Sequence, residues 1–238
     1  MGLGYNYGAF RATDYHLDAF AGPKLGQKAP DATLTTPDGH VGRLLDFDGR
    51  FLVLELGSIT CPLFQSRRKG MDRIRLDFPG VAHRILYTRE AHPGAAITAH
   101  RSDVEKRGRA AVLRETGEAR EVLVDTLEGD LHARLGGYPN AVFILNRSGC
   151  VVYRSAWNNP RATRTALVRL LAGKPAGGEG LFLPGRPAIT RRTLRAAGKG
   201  SVSDFLSSLP RLIWKNLISR NLSLLFGRDP AVGPDAQC

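Results

Sequence analysis

Short apolar runs alternate along the chain with amphipathic ones. Phe51 to Leu56 reads as a continuous apolar run, the pattern of a strand buried at the centre of a sheet. Before it, Leu25 to Phe47 predicts a β-hairpin, with Ala32 to Thr36 and Val41 to Leu45 on either side of the turn Pro37-Asp38-Gly39-His40. After it, Leu63, Phe64, Met71, Ile74 and Phe78 fall broadly on one side of a helix spanning Pro62 to Phe78. Pro62 suits the first helical turn, where a missing N–H costs nothing. Ile85 to Tyr87 is the next strand, and Ile97 to Arg114 reads as a charged helix. Glu121 to Val124 is a strand and Asp130 to Leu135 a short helix. Ala141 to Leu145 and Cys150 to Tyr153 flank Asn146-Arg147-Ser148-Gly149 as a second hairpin, and Arg161 to Leu171 closes the unit as an amphipathic helix. This order predicts an α/β domain over residues 25–173, with a mixed central sheet flanked by helices.

The ends differ in pattern. Residues 1–24 show no clear period and read as an arm, either docked or frayed. Residues 174–185 have a linker's composition, and 186–238 read as a basic helical tail. Within that tail 202–226 is expected to be helical, with Pro210 either breaking the helix or starting a second one. On a wheel drawn from Pro210, Ile213, Trp214, Leu217, Ile218, Leu224 and Leu225 share a broad arc, opposite Lys215, Asn216, Ser219, Arg220 and Ser223. Such a helix packs on its own domain, on a second subunit in a homodimer, or on an anionic membrane surface. Nucleic acid is not expected as a partner, because no aromatics interleave the basic cluster.

With 238 residues and 42% hydrophobic content, the chain can bury a sizeable core, which excludes global disorder. A net charge of +12 is spread along the chain rather than packed into one run. No stretch is long and apolar enough to predict a membrane span or a secretory leader, and Asn6 stands where a myristoylation signal beginning Met1-Gly2 wants Ser or Thr. The three cysteines are an odd number with no zinc-like spacing, so a reducing, cytoplasmic location is expected. No metal-ligand cluster, phosphate loop or dinucleotide fingerprint is apparent, and no bound cofactor is expected.

The chemistry concentrates where the central strand meets the helix, in Gly57-Ser58-Ile59-Thr60-Cys61-Pro62-Leu63-Phe64. A cysteine there sits over a helix amino end, whose free N–H groups and dipole favour a thiolate and so predict a lowered pKa. Ser58 and Thr60 are placed to hydrogen-bond the sulfur or an oxygen beside it. The alternative is a buried structural cysteine. His92 follows a strand end on the same sheet edge, so it is a candidate acid or base with Glu90 to orient it, or else an exposed loop residue. His16, His40, His83, His100 and His132 lack such a context and are taken as incidental. Cys150 reads as core, and Cys238 as either a resolving partner for Cys61 or an untethered thiol.

These residues carry a resemblance. Gly26 to Asp31, Pro37-Asp38-Gly39 and Cys61-Pro62 resemble the amino half of a peroxiredoxin of the thiol-specific antioxidant group, within the thioredoxin-like superfamily. Gly57 to Phe64 is closer to the iodothyronine deiodinases, which carry a Gly-Ser-x-Thr-selenocysteine-Pro-x-Phe run. Tyr87-Thr88-Arg89-Glu90-Ala91-His92-Pro93 is similar to their Tyr-x-Glu-Glu-Ala-His segment, and Val124-Asp125-Thr126 and Tyr138-Pro139 match their layout. The resemblance spans about residues 25–172 and implies a thioredoxin-like fold. It also implies an oxidoreductase whose nucleophile is Cys61, where the family has selenocysteine, and which lacks a second cysteine in the motif. It places Pro139 as a cis-proline beside the sulfur, unless the bond is trans at the start of an edge strand, with the Tyr138 backbone free to bind substrate. Pro62, Phe64, Ser58, Thr60 and Glu90 complete the substrate site, and His92 is accessory. The implied substrate is a small electrophile, a peroxide, a halogenated aromatic or a disulfide, with thioredoxin or glutathione as external thiol reductant. The contrasting reading is a non-catalytic binding module whose basic helix over 202–226 docks on a membrane or a partner protein.

Overall fold

The computed structural model describes residues 4–17, 19–227 and 230–238; the Met1-Gly2 start lies outside them. Seven strands form one sheet: β1 (Thr33–Thr35), β2 (Val41–Arg43), β3 (Phe51–Gly57), β4 (Ala82–Tyr87), β5 (Glu121–Val124), β6 (Val142–Asn146) and β7 (Val151–Ser155). Their order is β2-β1-β5-β4-β3-β6-β7. β4 runs parallel to β3, β6 antiparallel to β3, and β7 antiparallel to β6. Helix α1 (Pro62–Asp77) leaves β3 and α4 (Pro160–Leu171) follows β7. This β4-β3-β6-β7 core with its two helices is the thioredoxin-like arrangement, extended at the β5 side by the β1–β2 hairpin.

Strand alternation builds two apolar layers. Leu52, Leu54 and Leu56 of β3 join Phe143 and Leu145 on one face, where the amino-terminal arm adds Tyr7, Phe10, Tyr15 and Leu17. Phe51 and Val53 face the other way, against Met71 and Ile74 of α1 and Leu167 and Leu170 of α4. Every residue of β3 is buried, Glu55 included. The carboxylate of Glu55 accepts hydrogen bonds from Arg120, Asn140 and Asn158 at 2.6–2.8 Å, and Arg120 also pairs with Glu118 at 2.8 Å. The apparently apolar run thus carries a satisfied buried ion pair at its centre.

Helix α2 (Asp103–Glu115) starts six residues later than the charge pattern suggests. Ser102 caps it by accepting from Glu105 N, and the segment before it turns His100 inward. The arm is docked: Arg89 lies over the rings of Tyr5, Tyr7 and Tyr15 at 4.6–5.0 Å.

The tail packs on its own domain. α5 (Pro187–Ala197) lies against α1, and α6 (Ser201–Leu212) against the arm, where Ser208 Oγ accepts from Ala12 N at 3.2 Å. Residues 174–185 are tied down rather than loose: Phe182 exchanges both backbone hydrogen bonds with Asn221, at 2.7 and 3.1 Å, and Glu179 pairs with Arg220. Pro210 neither breaks nor starts a helix. It lies inside α6, which continues through a wider π-helical stretch, Ile213–Arg220, into α7 (Asn221–Phe226). Cys238 is not a loose thiol, and it does not meet Cys61. It forms a disulfide with Cys150, their Cα atoms 5.7 Å apart, which corrects the expectation of an unbridged core residue. The terminal segment reaches Cys150 because Asn146 Nδ2 donates to the carbonyls of Pro234 and Ala236 at 3.1 and 2.8 Å. The odd cysteine count therefore conceals one bridge and one free thiol. The inference of a reducing compartment from that count loses its basis.

Candidate active site

Cys61 is the N-cap of α1, in extended conformation, with Pro62 at the first helical position. Its N–H donates to the Ser58 carbonyl at 3.2 Å and its carbonyl accepts from Gln65 N at 3.0 Å, so the turn out of β3 runs directly into the helix. Gly57 is required here: a Cβ would meet the Phe64 ring at 2.3 Å. Phe64 is fully buried beneath the cysteine, beside Ile85 and Leu113.

The sulfur is buried, and this reverses the expected pKa. Burial pushes the Cys61 thiol up to about 11, against the opposing pull of the Phe64 and Leu63 N–H groups and of the Arg67 cation. The helix amino end acts as foreseen but is outweighed by desolvation. Arg67, six residues along α1, acts on the sulfur directly through its charge. Burial lowers it to about 10, so it stays charged at neutral pH. Its guanidinium donates to Asn140 Oδ1 at 2.8 Å and to the Leu183 carbonyl at 2.7 Å.

Cys61 opens onto an apolar cavity of about 130 Å³. Pro62, Pro139, Ala91, His92 and Trp157 form its floor and walls. Phe10, Tyr15 and Leu17 of the arm close one side. Leu209 and Leu212 of α6, with Ile213 and Leu217 of the π stretch, roof it. Nothing in the local motif points to these roof residues; only the apolar arc of the tail hinted that the segment needed a cover.

The remaining expected residues sit behind this wall. Thr60 Oγ1 donates to Glu90 Oε2 at 2.5 Å and accepts from His92 N at 3.2 Å, while Ser58 Oγ accepts from Ala91 N at 3.2 Å. Both hydroxyls thus fasten the 90–92 loop. Glu90 does not orient His92. It is bound by Thr60, by the Tyr87 hydroxyl and by His100 Nε2 at 3.1 Å. Burial alone would raise the Glu90 carboxyl, but these hydrogen bonds hold it below its usual range. His100 is therefore a buried partner of Glu90 rather than incidental. His132 is likewise structural, accepting from the Tyr5 hydroxyl at 2.7 Å and donating to the Tyr138 carbonyl at 3.0 Å. That bond engages the Tyr138 backbone expected to face substrate. Among the described residues no peptide bond is cis, so Pro139 reaches the cavity through a trans bond.

His92 is buried, not an exposed loop residue, and packs at a tilt against Phe10 with ring centroids 4.1 Å apart. Burial pushes its pKa down to about 3, and its Nδ1 has no hydrogen-bond partner among the described residues. It is a neutral imidazole at the cavity wall.

The core is thioredoxin-like, with a cysteine capping the helix after its central strand. A family model described as iodothyronine deiodinase matches residues 7–171, and the chain belongs to that family. Thyroxine 5-deiodinase of Rattus norvegicus is 29% identical over 151 residues, covering 58% of this chain and 49% of the relative. That of Gallus gallus is 30% identical over 142 residues, covering 54% and 55%. The chain spans about half the length of the curated relatives it matches. An uncharacterised conserved protein of known structure from Geobacillus kaustophilus shares the fold, with a TM-score of 0.51 at 24% identity over 67% of this chain and 86% of that one.

Proposed function

We propose that this chain is a thiol-dependent reductase in which Cys61 removes a halogen from a small aromatic ring. The observation that carries this reading is the position of Cys61, capping a helix at the floor of a roofed apolar cavity. A cavity of about 130 Å³ is close to the roughly 150 Å³ of an engineered apolar cavity that binds benzene. It admits one ring; a two-ring substrate requires the roof to move. Apolar walls suit an aryl group better than a peroxide, because Ser58 and Thr60, which would otherwise bind the peroxide oxygens, are committed to the 90–92 loop.

The step balances with the thiol's own proton. The sulfur takes the halogen, the carbon–halogen bond breaks, and the S–H proton ends on the ring carbon. The ring carbon is reduced, and Cys61 is oxidised to a sulfenyl halide. An external thiol then displaces halide to form a mixed disulfide, and a second thiol releases Cys61. The α1 N–H groups and Arg67 stabilise the thiolate formed as the S–H proton leaves, before the sulfur takes the halogen. We assign the passage of that proton between sulfur and carbon to His92, a neutral imidazole that lines the same cavity.

The test is halide release from mono-iodinated and mono-brominated phenols by the full chain with excess dithiothreitol. Release that disappears in Cys61→Ser supports the proposal. Absence of release, together with oxidation of Cys61 by hydrogen peroxide orders of magnitude faster than a free thiol, replaces it with a peroxidase.

A further inference from the structure

The helical rod formed by α6, the π stretch and α7 carries more apolar surface than packing on its own domain uses. Leu209, Leu212, Ile213 and Leu217 roof the Cys61 cavity, and three polar residues also face inward. Asn216 is buried and accepts from Trp157 Nε1 at 3.0 Å. Arg220 pairs with Glu179, and Asn221 bonds both backbone groups of Phe182. A second set of apolar residues faces outward: Trp214 is 58% exposed, Leu225 65% and Phe226 85%, with Leu206, Ile218 and Leu222 also exposed.

The π stretch accounts for this alignment. With 3.6 residues per turn throughout, Leu222 and Phe226 would rotate away from Leu206. The wider turns over Ile213–Arg220 bring them back. The exposed apolar side chains then share about a third of the circumference along a rod of roughly 40 Å, at 1.5 Å rise per residue. A π segment placed where it lines up an exposed stripe, and not a buried one, needs something outside the domain to cover it.

The charge on the same segment identifies the occupant. Residues 186–226 hold eight Lys and Arg against a single acid, Asp204. Arg191, Arg192, Arg195 and Arg211 are exposed. A second copy brought to this face would meet like charge with like. An anionic bilayer surface offers the opposite charge and an apolar layer beneath it, which is what a rod bearing Trp, Phe and Leu on one side, with Arg211 exposed on it and Arg191 and Arg195 of α5 beside Leu206, requires. We infer that the outward face of residues 201–226 is a docking surface for an anionic lipid bilayer, on which the rod lies flat. Insertion across the bilayer is not involved: among the described residues no helix is long and apolar enough to cross a membrane.

The experiment is co-sedimentation of the full chain with vesicles of phosphatidylcholine alone and with one third phosphatidylglycerol. Trp214 emission is read as the difference between the parent and Trp214→Phe, which leaves the Trp157–Asn216 bond intact. Docking predicts binding to the anionic vesicles at least tenfold stronger than to the neutral ones, weakening with salt, with a blue shift of Trp214 emission. The triple change Trp214→Ser, Leu225→Ser, Phe226→Ser removes exposed side chains only, and should cut binding at least tenfold while leaving the melting temperature in place. Triple Arg191→Glu, Arg192→Glu, Arg195→Glu should abolish the preference for anionic lipid. Failure to bind either vesicle overturns the inference. So does a concentration-dependent dimer in sedimentation equilibrium that the triple Ser variant dissolves, which would make a second copy the occupant.

Discussion

The indole Nε1 of Trp157 donates to Asn216 Oδ1 at 3.0 Å, and that bond fastens the roof of the Cys61 cavity to the sheet domain. Both residues line the cavity. Changing Asn216 to Leu leaves a buried donor unpaired, at a cost of about 1–3 kcal/mol. The roof should loosen before the domain does. Iodoacetamide labelling of Cys61 at pH 8 is expected to accelerate several-fold while the global melting temperature falls by only a few degrees. An unchanged labelling rate would mean that the roof does not control access.

Cys61 alkylation should follow a thiolate that forms only at high pH. With its pKa pushed to about 11 by burial, the rate should climb about tenfold per pH unit from 7 to 10 and bend near 11. The linked stability has a defined sign. A pKa raised from 9.0 to about 11 gives stability that is complete below pH 9 and is lost as pH rises through 11. Cys61→Ala should flatten the alkaline limb of the melting-temperature profile.

On the acid side the histidines dominate. Burial holds His92 and His132 down to about 3 and His83 to about 4. Each is neutral in the fold and protonated in the unfolded chain below about pH 6.5. Stability is present above pH 6.5 and is lost as pH falls toward 4, at up to about 1.4 kcal/mol per unit for each group. Denaturant midpoints at pH 7.5, 6 and 5 should decline in step, and His83→Gln should weaken that decline.

Arg120 is the cation between two buried carboxylates, Glu55 and Glu118. Arg120→Met leaves Glu55 without its cation inside the sheet and should cost about 3–5 kcal/mol. Adding Glu55→Gln should recover part of that loss, a coupling that a double-mutant cycle in urea would measure.

The disulfide makes a prediction of its own. Ellman titration of the unfolded, unreduced protein should find a single thiol, Cys61. Closing a loop of 88 residues contributes about 4–5 kcal/mol in the chain-entropy description. Cys150→Ser with Cys238→Ser should therefore lower the melting temperature under oxidising conditions and abolish any effect of dithiothreitol on it.

Local patterns made the strand Phe51–Gly57, the Pro62 helix start and the 142–155 hairpin readable, because each depends on nearest neighbours and strand period. Glu55 was concealed inside an apolar run, since its partners Arg120, Asn140 and Asn158 come from three distant segments. The raised Cys61 pKa was hidden for a similar reason. The helix terminus is encoded beside the cysteine, whereas its desolvation comes from the arm and the tail. The arc over 213–225, with Asn216 and Arg220 opposite Trp214, Ile218 and Leu225, was legible; its alignment with Leu206 was not, because a wheel assumes a constant turn and the π stretch breaks that assumption. Cys150 and Cys238 meet only once the chain has crossed the whole domain.

That last meeting has a topological result. Residues 150–238 form one covalent ring, and α5, α6, the π stretch and α7 all lie inside it. A protease that cuts anywhere within the rod therefore yields two peptides that still migrate as one molecule. The cover over Cys61 cannot be shed from its free end. It can only be swung open with both hinges attached, and a reductant strong enough to recycle Cys61 could also unlatch the second hinge.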